Sequence, residues 1–137
     1  LAEALGFHCI RSGEGLLEQL LEETNGDGYD YVFDCAGHQS VADILPDVVK
    51  IRGKIEIVAG YKTPPSMNFQ KGMFREFSIQ FTRVYRMKDF EIAAGLAASN
   101  PDYEKLNNYE LPPEEAKKGF ELLTSPTDAV KVMYRFH

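Results

Sequence analysis

Tyr31-Val32-Phe33-Asp34-Cys35-Ala36-Gly37 and Lys54-Ile55-Glu56-Ile57-Val58-Ala59-Gly60 are two short apolar stretches, each closed by a small residue and a glycine. Between them Val41, Ile44, Leu45, Val48 and Val49 fall at i, i+3, i+4, i+7 and i+8, the spacing of a helix with one buried face. Strand, helix and strand with short connections predict a parallel βαβ unit. Such units receive ligands at the carboxyl ends of their strands, where glycine lets a bulky molecule approach the main chain. Gly37 and Gly60 stand at those ends.

Working outward, Leu1, Ala4 and Leu5 read as the last turns of a helix that Gly6 ends, before a short strand over Phe7-His8-Cys9-Ile10. Ser12 is placed to cap a helix whose buried stripe is Leu16, Leu17, Leu20 and Leu21 and which Asn25-Gly26 closes. Beyond Gly60, Pro64-Pro65 forces an extended loop, and residues 68–75 read as a short helix. Phe77, Ile79 and Phe81 alternate with Ser78, Gln80 and Thr82, a strand pattern. Residues 89–99 read as an alanine-rich helix with Phe90, Ala93, Leu96 and Ala97 inward, and residues 113–123 as another with Ala116, Phe120 and Leu123 inward. Gly119 is expected to weaken that last helix by roughly 1 kcal/mol relative to alanine. Strands are thus expected near 7–10, 30–35, 54–59, 77–83 and 130–136.

With 137 residues and 44% hydrophobic composition the chain is long and apolar enough for a real core. A net charge of −6 and the lack of any basic run argue against a nucleic-acid partner, since that affinity rests on clustered Lys and Arg. No apolar run reaches membrane-spanning length and no signal peptide opens the chain, so a soluble, cytoplasmic protein with no membrane partner is expected. Cys9 and Cys35, each inside an expected strand, read as buried reduced thiols used for packing. No C-x-x-C or H-E-x-x-H spacing points to a metal, and three histidines without spaced partners make no catalytic triad.

The blocks LGF (5–7), YDYVFDCAGH (29–38), RGKIEIVAGY (52–61), REFSIQFTRVY (75–85) followed by DF (89–90), and DAVKVMYRF (128–136) stand in an order that resembles the carboxyl-terminal part of the medium-chain dehydrogenase/reductase family, the zinc-containing alcohol and sorbitol dehydrogenases especially. The resemblance covers nearly the whole chain. It implies an α/β fold, a partial doubly wound (Rossmann-like) parallel sheet lacking its first βαβ unit, plus a C-terminal helix and strand. Residues 1–84 would be a partial NAD(P)-binding domain and 85–137 a segment returning toward the catalytic domain. The glycine-rich pyrophosphate turn and the residue that reads the ribose 2′ position do not occur in this chain, and the zinc ligands are expected only in an absent amino-terminal catalytic domain.

Carried over by position, Cys35, Ala36, Gly37 and His38 match the turn that lines the adenine and its ribose. Ala59 and Gly60 match the turn whose main chain meets the nicotinamide carboxamide, and Thr82 and Val84 match a backbone acceptor and donor that complete its hydrogen bonds. Lys131 matches a basic residue that reaches a cofactor phosphate. Asp34 is read as a hydrogen-bond acceptor for neighbouring backbone or a ribose, not as a catalytic acid. Phe81 stands where family members usually have glycine, a departure that bears on how Ile79 to Tyr85 packs on the cofactor or across a dimer contact. Arg83 is read first as solvated, with projection toward the substrate side as the alternative.

The function these residues imply is hydride transfer between NAD or NADP and an alcohol, polyol or carbonyl substrate, with no catalytic residue in this chain. A zinc-independent quinone or enone reductase of the same superfamily and a non-catalytic α/β interaction module are the alternatives. The chain by itself is expected to lack dehydrogenase activity and stoichiometric zinc and to bind NAD(H) weakly at best. A sheet without its first βαβ unit leaves an apolar face and a free edge, so a homodimer or higher homo-oligomer is expected, with Phe77, Ile79 and Phe81 or residues 7–10 near the contact.

Overall fold

Residues from Val41 to Val48 form a helix whose apolar stripe is the centre of a core: Ala42, Leu45 and Val48 are buried, and Leu45 packs with Val49, Ile55 and Ile57. The computed structural model describes residues 1–136. They divide into two compact units, Cys9–Val84 and Leu1–His8 together with the residues from Tyr85 onward.

In the unit Cys9–Val84 the elements are α1 (Leu16–Glu23), β1 (Tyr29–Asp34), α2 (Gln39–Val48), β2 (Val49–Ile57), α3 (Phe69–Arg75) and β3 (Ser78–Phe81). The strands form one sheet in the order β1-β2-β3, parallel throughout, as a βαβ crossover requires. In register, Val32, Ile55 and Ile79 lie side by side on the face that meets Leu45, and Asp34, Ile57 and Phe81 follow at the carboxyl ends. The opposite face is open. Tyr31 and Phe33 point there with 67% and 63% of their surface exposed, so the alternation of β1 places aromatic rings on an uncovered side. Asn68 caps α3 by accepting from the Lys71 amide, and Lys71 in turn reaches Asp47 on α2 at 2.7 Å, which ties the third helix to the second.

The other unit contains α4 (Met87–Ser99), β4 (Tyr109–Leu111), α5 (Ala116–Thr124) and β5 (Val132–Tyr134). β4 and β5 pair in parallel around α5, a second and smaller βαβ arrangement that the sequence reading did not contain. β4 has three residues and is followed by Pro112-Pro113, too short a stretch for alternation to register.

Several expectations need correction. Residues 7–10 form no strand. Gly6 adopts φ 85°, and the amides of Gly6 and Phe7 turn back to the carbonyls of Glu3 and Ala2, so the Phe7 N–H that a ladder would need is used to close the preceding 3-10 turn. Cys9 therefore lies outside any strand. Cys35 does too, because β1 stops at Asp34, and both thiols are exposed, not packed. α1 starts at Leu16 after a Gly13-Glu14-Gly15 turn, with Gly15 and not Ser12 at its cap. The face expected to be inward on α4 is not buried: Phe90 and Leu96 are 60% and 52% exposed. Phe120 and Leu123 on α5 are likewise exposed.

Gly119 has a use that helix propensity does not show. It is buried in α5, and a Cβ built there would overlap the Tyr134 hydroxyl and sit 3.1 Å from Val132 Cγ1. The same hydroxyl donates to the Ala116 carbonyl at 3.0 Å, so the missing side chain is what lets β5 dock on the helix. Gly119→Ala is therefore expected to lower stability, because overpacking costs about 1–3 kcal/mol against a helix gain of about 1 kcal/mol. Thermal unfolding checks this. The loss should shrink in a Tyr134→Ala background, where the obstructing ring is gone.

Candidate functional site

β1 ends on a carboxylate that is almost wholly out of water: Asp34 is 1% exposed. Burying an ionised carboxylate without partners is prohibitive, so its oxygens must find donors. Oδ1 accepts the amides of Ala36 at 2.9 Å and Gly37 at 3.0 Å, which folds the chain after β1 into a tight turn. Oδ2 accepts the Tyr61 hydroxyl at 2.5 Å, a donor that arrives from the carboxyl end of the neighbouring strand. The Val58 and Ala59 amides also donate to the Asp34 carbonyl, both at 3.0 Å. One residue thus fastens the two strand ends together through both its side chain and its main chain.

The turn packs as closely as its composition allows. Gly37 has φ 64°, and a Cβ there would stand 2.9 Å from the Gly60 carbonyl oxygen and 3.1 Å from Ala59 Cβ. Both the left-handed backbone and the lack of space call for glycine. Above this junction opens a cleft of about 290 Å³, walled by Ala36, Gly37, His38 and Gln39 on one side and Gly60, Tyr61, Lys62 and Thr63 on the other. Its position, outside the carboxyl ends of adjacent parallel strands, is where open α/β sheets bind ligands.

Electrostatics favour a neutral tyrosine against an ionised aspartate. Burial pushes Asp34 upward, but the hydrogen bonds from Tyr61, Gly37 and Ala36 outweigh it and hold its carboxyl below the ordinary range. Tyr61 is pushed up to about 12, first by burial and then by its hydrogen bond to the Asp34 carboxylate and that group's charge. Neither group is a general acid or base near neutrality. Their chemistry is structural, and because the Ala36 and Gly37 amides are turned to Asp34, the turn offers a ligand close approach of its main chain.

Among the expected site residues, Ala36, Gly37, His38 and Gly60 line the cleft. Cys35 and Ala59 flank the same junction, Cys35 exposed and Ala59 half-buried. His38 caps α2, its Nδ1 accepting the Ser40 amide at 3.3 Å and lying 2.9 Å from the Ser40 hydroxyl. Thr82 gives its amide to the Ile57 carbonyl at 3.0 Å, and its hydroxyl pairs with Glu56, beside the end of β3. Val84 sits at φ 69°, strained for a β-branched residue. Lys131 belongs to the other unit, exposed, its amide donating to Asn108 and its carbonyl accepting from Tyr109. The sequence reading missed Tyr61 and Gln39. Gln39 makes a two-way amide pair with the main chain of Ser66, both bonds 2.9 Å, and so pins the loop that follows β2. Among the described residues no three His, Cys, Asp or Glu side chains gather to hold a metal ion, and no helix is long and apolar enough to cross a membrane.

Comparison with known proteins adds four findings. Residues 1–99 match the sequence profile described as zinc-binding dehydrogenase. The chain is 27% identical over 99 residues to the 2-dehydro-3-deoxy-L-galactonate 5-dehydrogenase of Pseudoalteromonas atlantica, a match covering 72% of this chain and 29% of that relative. Its fold superposes with a TM-score of 0.84 on the 2R,3R-butanediol dehydrogenase of Bacillus subtilis at 19% identity, over 99% of this chain and 40% of that one. A short chain alcohol dehydrogenase of Escherichia coli CFT073, solved with NADH, gives a TM-score of 0.76 at 19% identity over 93% of this chain and 38% of its own.

Tyr61→Phe should cost about 1–3 kcal/mol in denaturant unfolding, since it leaves a buried charged acceptor one donor short. Because the folded state holds Tyr61 at about 12 against an ordinary 10.0, its contribution is complete below pH 10 and is lost as pH climbs toward 12. The stability difference between wild type and Tyr61→Phe is expected to narrow across that window. Asp34 has the opposite sign: its contribution holds above about pH 4 and fades as pH falls further.

Proposed function

Because the chain belongs to the zinc-binding dehydrogenase family, we propose that it carries the nicotinamide-cofactor cleft of an NAD(P)-dependent oxidoreductase, one that moves hydride between NAD or NADP and an alcohol or carbonyl substrate. The observation that supports this best is the cleft itself, opened at the carboxyl ends of β1 and β2 by the Asp34-anchored turn and by Gly60, whose α-carbon has no protein atom near the place a Cβ would take. When bound, the nicotinamide supplies or accepts the hydride. This chain's residues bind and orient it: Cys35, Ala36, Gly37 and His38 at the adenosine end, Ala59 and Gly60 beside the carboxamide, and Thr82 and Val84 through main-chain groups. In this reading residues 1–84 are the cofactor-binding portion and 85–137 the segment returning toward a catalytic domain.

Any zinc of the enzyme is assigned in this proposal to a catalytic domain outside the described residues, a reading supported by the lack of a gathered ligand set among them. β3 is a sheet edge, and its outward main-chain groups suit pairing with a second copy, which makes a homodimer or larger homo-oligomer part of the proposal. A cytoplasmic location suits the two exposed cysteines, since thiols persist where the compartment is reducing.

Amide shifts followed by NMR during titration with NADH test the reading. Weak, saturable shifts are expected at Ala36, Gly37, His38 and Gly60. Gly60→Val puts its side chain into open space and should leave thermal unfolding unchanged, yet weaken NADH binding about tenfold or more by closing the approach, the scale of 1.4 kcal/mol. Shifts that map elsewhere, or a Gly60→Val chain that binds as well as wild type, would contradict it.

A further inference from the structure

We propose that Lys62 is the residue in this cleft that reads an anionic group, a phosphate or a carboxylate, on the bound molecule. The inference rests on the cofactor reading for the identity of that molecule and on the cleft's own chemistry for the charge. No carboxylate side chain lines the cleft, and Lys62 is the one lysine or arginine that does. The nearest buried acid, Asp34, presents nothing to a ligand because Tyr61 and two main-chain amides already occupy its oxygens. Asp43 is taken up by Gln39 Nε2 at 2.7 Å. Lys62 is therefore the one formally charged side chain in the cleft lining, on a chain whose net charge is −6.

Lys62 is also uncommitted where its neighbours are not. Lys50 is held by Asp30 at 3.3 Å, Arg52 by Glu76 at 2.6 Å and Lys71 by Asp47 at 2.7 Å. Lys62 has no hydrogen bond or ion pair among the described residues. Its backbone, however, is fixed on both sides. Tyr61 just before it is bonded through its hydroxyl to Asp34, Ser66 four residues after it is paired twice with Gln39, and Pro64-Pro65 between them restrict the loop further. A cation without a partner among the described residues, carried on a loop held at both ends beside a cleft whose lining has no carboxylate, is placed to meet an anion through a charge-assisted hydrogen bond.

Titrating the wild-type chain, Lys62→Met and Lys62→Arg with inorganic phosphate, NADH, NADPH and gluconate, at low salt and with NMR detection of the Lys62 side chain, tests this. Lys62→Met is expected to weaken the anion it reads about threefold to tenfold, the scale of one charge-assisted hydrogen bond at a partly exposed site, and Lys62→Arg to keep most of the affinity. Equal loss for NADH and NADPH assigns the anion to the pyrophosphate. Loss for NADPH alone assigns it to the ribose phosphate, and loss for gluconate alone to a substrate carboxylate. Shifts at Lys62 with phosphate or gluconate but with neither nucleotide uphold the anion site and overturn the cofactor reading. Nucleotide binding that Lys62→Met leaves unchanged, with no phosphate or gluconate effect either, upholds the cofactor reading and overturns this inference. A Lys62 side chain that responds to none of the four probes overturns it as well.

Discussion

A carboxylate shut away from water at the end of a β-strand fixes most of what surrounds it. Asp34 needs donors on both oxygens, and the only way for the chain to supply two of them locally is to stop the strand and fold Ala36 and Gly37 back over it. The third comes from Tyr61, 27 residues on, and reaches it only if the neighbouring strand ends at the same height. The register of the two parallel strands, which sets Asp34 beside Ile57, satisfies that condition. Sheet register, turn and cleft floor are one linked arrangement, so a change at any of the three groups is felt by the other two.

This arrangement also explains why the site is quiet in acid–base terms. A depressed aspartate and a tyrosine near 12 keep one charge and one proton in place across the physiological range. The pair holds geometry, and the open groups above it, a capping histidine, a free lysine and a threonine, are what a ligand meets. Rigidity below and uncommitted polar groups above suit a site that must bind and orient a large cofactor while the reaction chemistry resides in that cofactor.

Much of this was legible in the sequence where the signal was local. The stripe from Val41 to Val48 has helical period and forms a crossover helix, and a parallel strand precedes each of the two glycine-closed turns, although β2 begins as early as Val49, which the spacing had counted with the helix. Asp34 was readable as an acceptor for its neighbours' amides, since a carboxylate two and three residues before small residues makes such turns readily. Tyr61 and Gln39 were not readable, because each acts on a group 27 positions away that only the register brings near. Residues 7–10 have strand-forming side chains, but the amide a ladder needs was already used by the glycine-ended turn before them. The amphipathic pattern of α4 describes which side chains a helix has available to bury; within its own unit those side chains remain exposed. Gly119 looked like a helix defect and is the space into which Tyr134 fits.

The central claim is that the Asp34-anchored turn and Gly60 form the floor of a nicotinamide-cofactor cleft. A crystal structure of the chain grown in the presence of NADH addresses it directly. The account predicts a dinucleotide lying over Gly37 and Gly60, with the Ala36 and Gly37 amides still bonded to Asp34 and Tyr61 still closing the far oxygen. A dinucleotide bound away from the carboxyl ends of β1 and β2, or a turn that releases Asp34 to give its amides to the ligand, would contradict it.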